Sequence, residues 1–288
     1  MKEGIVVRGL GGLYEVLCDG TVYECRGRGG LKRDRNILYV GDRVLFEGEA
    51  IEEILPRRNV LPRPPMANLD CLFIVVACAD PLPNLYTLDK LTVIAAHCGV
   101  RPILVFNKTD LGDPLNVRSV YGDLGYTTLS VCAKEGENAE KIRALAEGKI
   151  CAFAGLSGVG KSTLMNVLAP DLIRQTGEVS RKLQRGRHTT RAVELFPFAD
   201  GFLADTPGFS ELEFGACGLL DRSLLADYFP EFSPYLGECF FRDCAHGKEK
   251  SCAVRAAARE GKIPLSRYEN YLRMYEEIGP LRPWEANK

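Results

Sequence analysis

The sequence predicts an α/β fold built from three consecutive units: an all-β barrel over residues 1–65, a parallel α/β domain over 66–214 and a mainly helical, cysteine-bearing unit over 215–288. Three observations predict it. Five short β-branched or aromatic runs with glycine turns fill the first unit. A glycine-bracketed loop, GLSGVGKST at 155–163, stands between an apolar run and a helical pattern in the second, and the spacing C-x4-C-x-H-x5-C marks the third. A chain of 288 residues exceeds one average domain, and 46% hydrophobic residues suffice for several cores.

Composition excludes several classes. The N-terminus, MKEGIVVRGLGGLYEV, carries charge and glycine where an export signal needs an unbroken apolar region. The longest apolar run, 71–79, is about half of what a membrane-spanning helix requires and reads as a buried strand. No membrane partner is expected. Eleven cysteines scattered along the chain favour reduced thiols in a cytoplasm over a disulfide frame. With a net charge of −1, any surface for nucleic acid must be local.

In the first unit, strands are expected at 5–7, 14–17, 22–25, 37–40 and 43–46. The segment 26–35 carries Arg26, Arg28, Lys32, Arg33 and Arg35 among three glycines, either a basic loop able to follow a phosphate backbone or a solvated one. Pro56, Pro62, Pro64 and Pro65 read as a linker.

The second unit begins with a buried strand at 72–77, then a helix at 88–97 and a strand at 102–106 that runs into Asn107, Lys108, Thr109 and Asp110. This tetrapeptide suits guanine. The Asp110 carboxylate can accept from N1–H and from the exocyclic amine, a donor pair that adenine lacks, so ATP is disfavoured. Asn107 and Lys108 would brace the loop and cover the base. Cys132, Ala133 and Lys134 resemble the loop that supports guanine from its other side, although such a tripeptide is also an ordinary surface turn.

Next comes the loop itself: Gly155, Leu156, Ser157, Gly158, Val159, Gly160, Lys161, Ser162 and Thr163. Its glycines let backbone N–H groups point at phosphate oxygens, and the following helix adds its positive end. Lys161 would reach the β- and γ-phosphates, with Ser162 offering its hydroxyl to Mg²⁺. Farther on, GRHTTR supplies Thr190, preferred to Thr189, to complete the Mg²⁺ shell and close over the γ-phosphate. In DTPG, Asp205 would hold Mg²⁺ through water and the Gly208 N–H would sense the γ-phosphate. Ordinary GTPases place the phosphate loop first and the guanine loop near the end. Here the order is swapped, which makes the domain a circular permutation and ties whatever follows DTPG closely to the nucleotide state.

In the third unit, Cys239, Cys244, His246 and Cys252 supply three thiolates and an imidazole, the donors of one closed structural Zn²⁺ site; chance placement in a cysteine-rich chain is the alternative. Tyr228, Phe229, Phe232, Tyr235, Phe240 and Phe241 read as a small core rather than an RNA-stacking platform. Ala253–Arg259 should be helical, and Ser266 with Glu269 forms a capping box for a helix whose Tyr268, Tyr271, Leu272, Tyr275 and Ile278 share one face.

Taken in this order, the motifs closely resemble the circularly permuted, ribosome small-subunit-dependent GTPase A (RsgA) family over essentially the whole chain. The resemblance implies an oligonucleotide-binding-type barrel at the N-terminus. It also implies GTP hydrolysis to GDP stimulated by the small ribosomal subunit, contact with its rRNA, and a role in late subunit maturation. A cytoplasmic monomer is expected. The basic residues Arg174, Arg181, Lys182, Arg185 and Arg187 suit contact with RNA phosphates. Phe209 stands where many GTPases carry a water-orienting glutamine, so hydrolysis is expected to be slow in isolation. His188 is the nearest candidate for the missing group, with a structural or RNA-facing role as the alternative. A second functional reading is a GTP-regulated RNA- or ribosome-binding module in which hydrolysis only resets binding. No constellation for methyl transfer, deamination or nuclease chemistry is visible.

Overall fold

The computed structural model describes residues 1–29, 37–112, 115–170, 193–205, 213–219 and 221–280. The barrel consists of β1 (Lys2–Leu10), β2 (Leu13–Cys18), β3 (Thr21–Gly27), β4 (Arg43–Glu47) and β5 (Ala50–Ile54). Pairing runs β1-β2-β3-β5-β4 and returns from β4 to β1, which closes the sheet. Alternating residues fill its interior, with Val6, Val16, Cys25, Val44, Phe46 and Ile51 at 1% exposure or less.

The fifth strand is not the expected one. Residues 37–39 form no strand, and Val40 makes only an isolated bridge to Met66. The buried Asp42 carboxylate is the cause: it accepts from Tyr39 N at 2.7 Å and from Arg57 Nε and Nη2 at 2.7 and 2.8 Å, folding this stretch around itself. Ala50–Ile54 takes the place in the sheet. Its paired glutamates obscure the alternation in sequence, although Glu52 forms an ion pair with Arg28, the residue just after the neighbouring β3. The proline-rich stretch read as a linker is also packed. It contains β6 (Val60–Leu61) and β7 (Met66–Ala67), with Leu61 and Met66 buried. Asn68 then ties it down, donating to Gly41 O at 2.9 Å and accepting from Arg58 N at 2.9 Å.

The α/β domain is built on β8 (Cys71–Ala77), β9 (Arg101–Asn107), β10 (Thr127–Ser130), β11 (Ile150–Ala154), β12 (Glu194–Phe198) and β13 (Gly201–Asp205). Their order is β10-β9-β8-β11-β13-β12, parallel except for β12, which continues into β1 of the barrel through Arg8 and Glu194. Helices cover both faces. Leu72, Ile74 and Val76 of β8 join the core of α1 (Leu85–His97) and α2 (Leu115–Asp123); Phe73 and Val75 join that of α3 (Ala139–Ala146) and α4 (Lys161–Leu168). Burial on both faces explains why β8 is an unbroken apolar run.

Beyond it, 3-10 turns at Gly215–Cys217, Arg222–Tyr228 and Pro230–Tyr235 precede α5 (Ala253–Arg259) and α6 (Leu265–Ile278). The expected capping box is absent. Pro264 is the N-cap and its carbonyl takes the first bonds, from Arg267 N and Tyr268 N, so Ser266 already lies inside the first turn and cannot cap it. On α6, Tyr268, Tyr271 and Met274 are buried, and so is Arg267. The Arg267 guanidinium donates to Glu231 at 2.6 and 3.2 Å and to Asp89 of α1 at 2.6 Å, while its face lies 4.5 Å from the Phe229 ring centroid. Asp89 also accepts from Asn270 at 2.6 Å and from Tyr121 of α2. One cation thereby joins the third unit to two helices of the second.

Candidate active site and metal centre

Because the strands are parallel, β8, β9, β10, β11 and β13 all end on the same edge of the sheet, and the loops leaving them meet there. Asn107, the last residue of β9 and 1% exposed, makes the decisive contacts. Its Nδ2 donates to Val159 O of the phosphate loop at 2.9 Å, and its Oδ1 accepts from Ala133 N of the third loop at 3.0 Å. Segments far apart in sequence thus share one amide. Gly160, at φ +96°, is obligatory here, since a Cβ would lie 2.2 Å from Asn107 Nδ2. Gly155, at φ +131°, is equally confined, with Val75 O 2.3 Å from such an atom.

Lys161 opens α4 and donates through Nζ to Gly155 O and Leu156 O, both at 2.7 Å, so its ammonium is held across the loop. Burial lowers its pKa from the ordinary lysine value, making the charge poorly solvated and receptive to an anion. Gly160 caps α4 without a side-chain bond, and Ser162 and Thr163 follow in the exposed first turn, where helix N–H groups attract negative charge. At the opposite end, the exposed Asp110 accepts from Cys132 Sγ at 3.4 Å, and Thr109 Oγ1 donates to Val131 O at 3.2 Å. Lys108 turns through φ +64° and donates from Nζ to Asp80 O, a partner for its bracing role that no motif announced. Lys134 is exposed beside this loop. Ser157 and Gly158 form the exposed tip of the phosphate loop.

In the third unit the ligand atoms of Cys239, Cys244, His246 and Cys252 lie within 4.8 Å of one another. Cys239 Sγ is 3.5 Å from His246 Nδ1 and 3.9 Å from Cys252 Sγ, and Cys252 Sγ is 3.6 Å from His246 Nδ1. A tetrahedron with arms of about 2.3 Å has edges of about 3.8 Å, so this donor set fits a zinc-sized ion. Burial lowers the His246 pKa from its ordinary value and favours the neutral, ligating ring. The support around it was not legible in sequence. Glu249 accepts from Ala245 N and Gly247 N at 3.0 and 2.8 Å; burial alone would raise its carboxyl, but these amides outweigh it and hold the pKa below the ordinary range. Tyr268 OH and Tyr271 OH of α6 donate to His246 O and Ala245 O at 2.7 and 2.9 Å.

The model of the RsgA GTPase matches residues 54–215, and that of the RsgA N-terminal domain matches residues 3–53. The chain belongs to the RsgA GTPase family. It is 41% identical over 294 residues to the small ribosomal subunit biogenesis GTPase RsgA of Geobacillus sp. (strain WCH70), covering 98% of this chain and 99% of that protein. To the protein of the same description from Carboxydothermus hydrogenoformans it is 43% identical over 287 residues, covering 96% and 97%. Among solved structures, YjeQ from Thermotoga maritima superposes with a TM-score of 0.81 at 34% identity, over 96% of this chain and 98% of that one. YloQ, described as a circularly permuted GTPase, follows at 0.79 and 31%, over 96% and 95%.

The permuted fold and the N-terminal barrel of this RsgA-family GTPase agree with the expectation from sequence. The structure places the residues expected at the two ends of the nucleotide on loops at one edge of the sheet and, separately, brings together the four candidate metal ligands. Asp205 ends β13 on the same edge. Thr189, Thr190, His188, Gly208 and Phe209 lie outside the described residues, as do Arg174, Arg181, Lys182, Arg185 and Arg187. The aromatic reading is corrected in part: Phe229 and Phe232 are core, but Phe240 and Phe241 are exposed. Among the described residues, no helix is long and apolar enough to cross a membrane.

Proposed function

We propose that this GTPase acts on the small ribosomal subunit, contacts its rRNA late in maturation, and hydrolyses GTP faster when bound there, as a cytoplasmic monomer. The relatives' descriptions as small ribosomal subunit biogenesis GTPases support the partner. The Asn107 bridge carries the site: by bonding the phosphate loop and the Ala133 loop together, it makes a single nucleotide pocket from motifs written in swapped order.

Within that pocket Asp110 accepts the guanine N1–H and amine, Asn107, Lys108 and Thr109 hold the base loop, and Cys132, Ala133 and Lys134 flank the ring. The amides of 155–160 and the Lys161 ammonium stabilise charge spreading over the γ-phosphoryl oxygens during in-line attack by water. Thr163 stands beside them in the first turn. Ser162 and Thr190 would hold Mg²⁺, with Asp205 through water, and Gly208 would report the γ-phosphate. Mg²⁺ arriving with GTP supplies further neutralisation of the phosphate charge. His188, adjacent to the threonines, is the proposed water-orienting group. Cys239, Cys244, His246 and Cys252 would hold one Zn²⁺ in a purely structural role, with no ligand position open.

GTP turnover measured alone, with purified small subunits, with large subunits and with free RNA is the test. Strong stimulation by small subunits alone, with ATP inert, is expected; equal turnover under all conditions would sink the partner assignment. Chelation gives a separate prediction. Removing the ion leaves three thiols and an imidazole packed within 4.8 Å of one another without their shared cation. Zinc release, read by a metal indicator, should coincide with cooperative melting of the third unit, since metal binding energy is folding energy in such sites.

A further inference from the structure

Two aromatic side chains on the metal loop join none of the hydrophobic cores. Phe240 is 77% exposed and Phe241 45%. Among the described residues, every other phenylalanine and tyrosine is buried or half-buried. The two rings stand 5.0 Å apart at 85°, an edge-to-face pair that leaves flat ring surface open to solvent. Their position is rigidly set. Cys239 of the ligand cluster directly precedes Phe240, and Phe240 N donates to Ser251 O at 3.2 Å, next to the ligand Cys252. The exposed rim of the same loop carries Arg242, Lys248 and Lys250 against Glu238 and Asp243, while Glu249 is spent inside on the loop's own amides. Three exposed cations thus stand beside two exposed carboxylates, with the Glu249 carboxylate half-buried behind them.

We propose that Phe240 and Phe241 form a stacking platform for unpaired RNA bases, with Arg242, Lys248 and Lys250 on the adjoining phosphates. The inference rests on the RNA-contact reading above and names the side chains and the contact chemistry. Every base has a π-face, so two preorganised aromatic faces can hold splayed-out nucleotides without reading sequence. Exposed cations on the same loop as those faces suit a polyanion. A purely apolar protein partner would be served as well by aliphatic side chains and gives the three cations no task.

The full-length, zinc-loaded protein is the material for the test, with affinity measured for purified small subunits and for a mixed-sequence single-stranded RNA. Phe240→Leu with Phe241→Leu keeps the apolar bulk and removes the ring. This pair should bind about ten- to a hundredfold more weakly to both probes, the range expected for losing base stacking. Phe240→Tyr with Phe241→Tyr should bind as the wild type does. Zinc content and unstimulated GTP turnover should be unchanged in both pairs, which reports an intact fold. Lys248→Gln with Lys250→Gln should reduce the slope of log affinity against log salt by about 0.7 per charge for a single strand. Leucine variants that bind both probes like the wild type would overturn the platform, as would leucine variants that retain subunit binding and lose only the free RNA. A concentration-dependent dimer of the wild type that the leucine pair abolishes would instead make the patch a contact between copies and equally defeat the proposal. If the wild type itself binds neither probe, the RNA-contact reading falls first.

Discussion

Arg267→Met is expected to lower the unfolding free energy by about 3–5 kcal/mol, the cost of leaving a buried charge without its partner. The guanidinium is fully buried, as is the Asp89 side chain, and that of Glu231 is nearly so. Methionine fills much of the volume but leaves two carboxylates facing each other across an apolar core. Burial already pushes the Asp89 carboxyl up, against Arg267 and the hydrogen bonds from Tyr121 and Asn270. With the guanidinium gone, that upward push meets less resistance. A group with a raised folded-state pKa favours folding below its unfolded pKa and loses that contribution as pH rises through the folded value. The variant's deficit should therefore be smaller near pH of about 4 and grow toward neutrality. Denaturant unfolding at the two pH values measures both effects. A loss below about 1 kcal/mol at neutral pH would show that the network contributes no more than a surface ion pair. Adding Asp89→Asn and Glu231→Gln to the methionine variant should recover part of the loss, because the stranded charges go with it.

The second large effect is expected at Asn107→Ala. Two buried backbone groups, Val159 O and Ala133 N–H, lose their partner, at about 1–3 kcal/mol each. The phosphate loop and the base loop are then no longer referenced to each other. GTP affinity, read with a fluorescent analogue, should fall at least about tenfold alongside a lower melting temperature. Asn107→Asp separates the two bonds, since a carboxylate still accepts from Ala133 N–H but faces the Val159 carbonyl with no donor. It should remain impaired. Both variants should weaken binding without changing the ratio of GTP to ATP affinity, because base choice is assigned to Asp110. A changed ratio with unchanged stability would place Asn107 in direct base recognition instead.

How far the chain could be read depended on whether a residue's task is local. Phosphate and metal binding each need particular residues at particular spacings, so Gly155 to Thr163 and Cys239 to Cys252 stand out in sequence as candidates, and the structure gathers the four Cys/His ligand atoms within 4.8 Å. β8 announced itself because burial on both faces leaves no polar position. The barrel's fifth strand did not. Residues 37–40 have better strand composition than Ala50–Ile54, and only the buried Asp42–Arg57 pair, which folds that stretch around itself, reverses the choice. The Ser266 capping box failed for a related reason: Pro264 starts the helix earlier than the motif requires.

Charge gave the least warning. Arg267 sits in a helix of tyrosines and glutamates where an arginine ordinarily faces water, yet its three carboxylate hydrogen bonds come from residues 36 and 178 positions away. Phe240 and Phe241 read in sequence as core residues, yet the metal loop leaves them exposed. The sequence by itself determined the order of the motifs, and hence the permuted domain, and it supplied the residues proposed to read guanine, bind phosphate and hold the metal. Only the tertiary structure decided that Asn107 joins the two ends of the pocket, that Arg267 fastens the third unit to α1 and α2, and which aromatic rings remain exposed. Local motifs encode chemistry that acts over a few residues, whereas burial of a charge or exposure of a ring depends on what the rest of the chain brings alongside it.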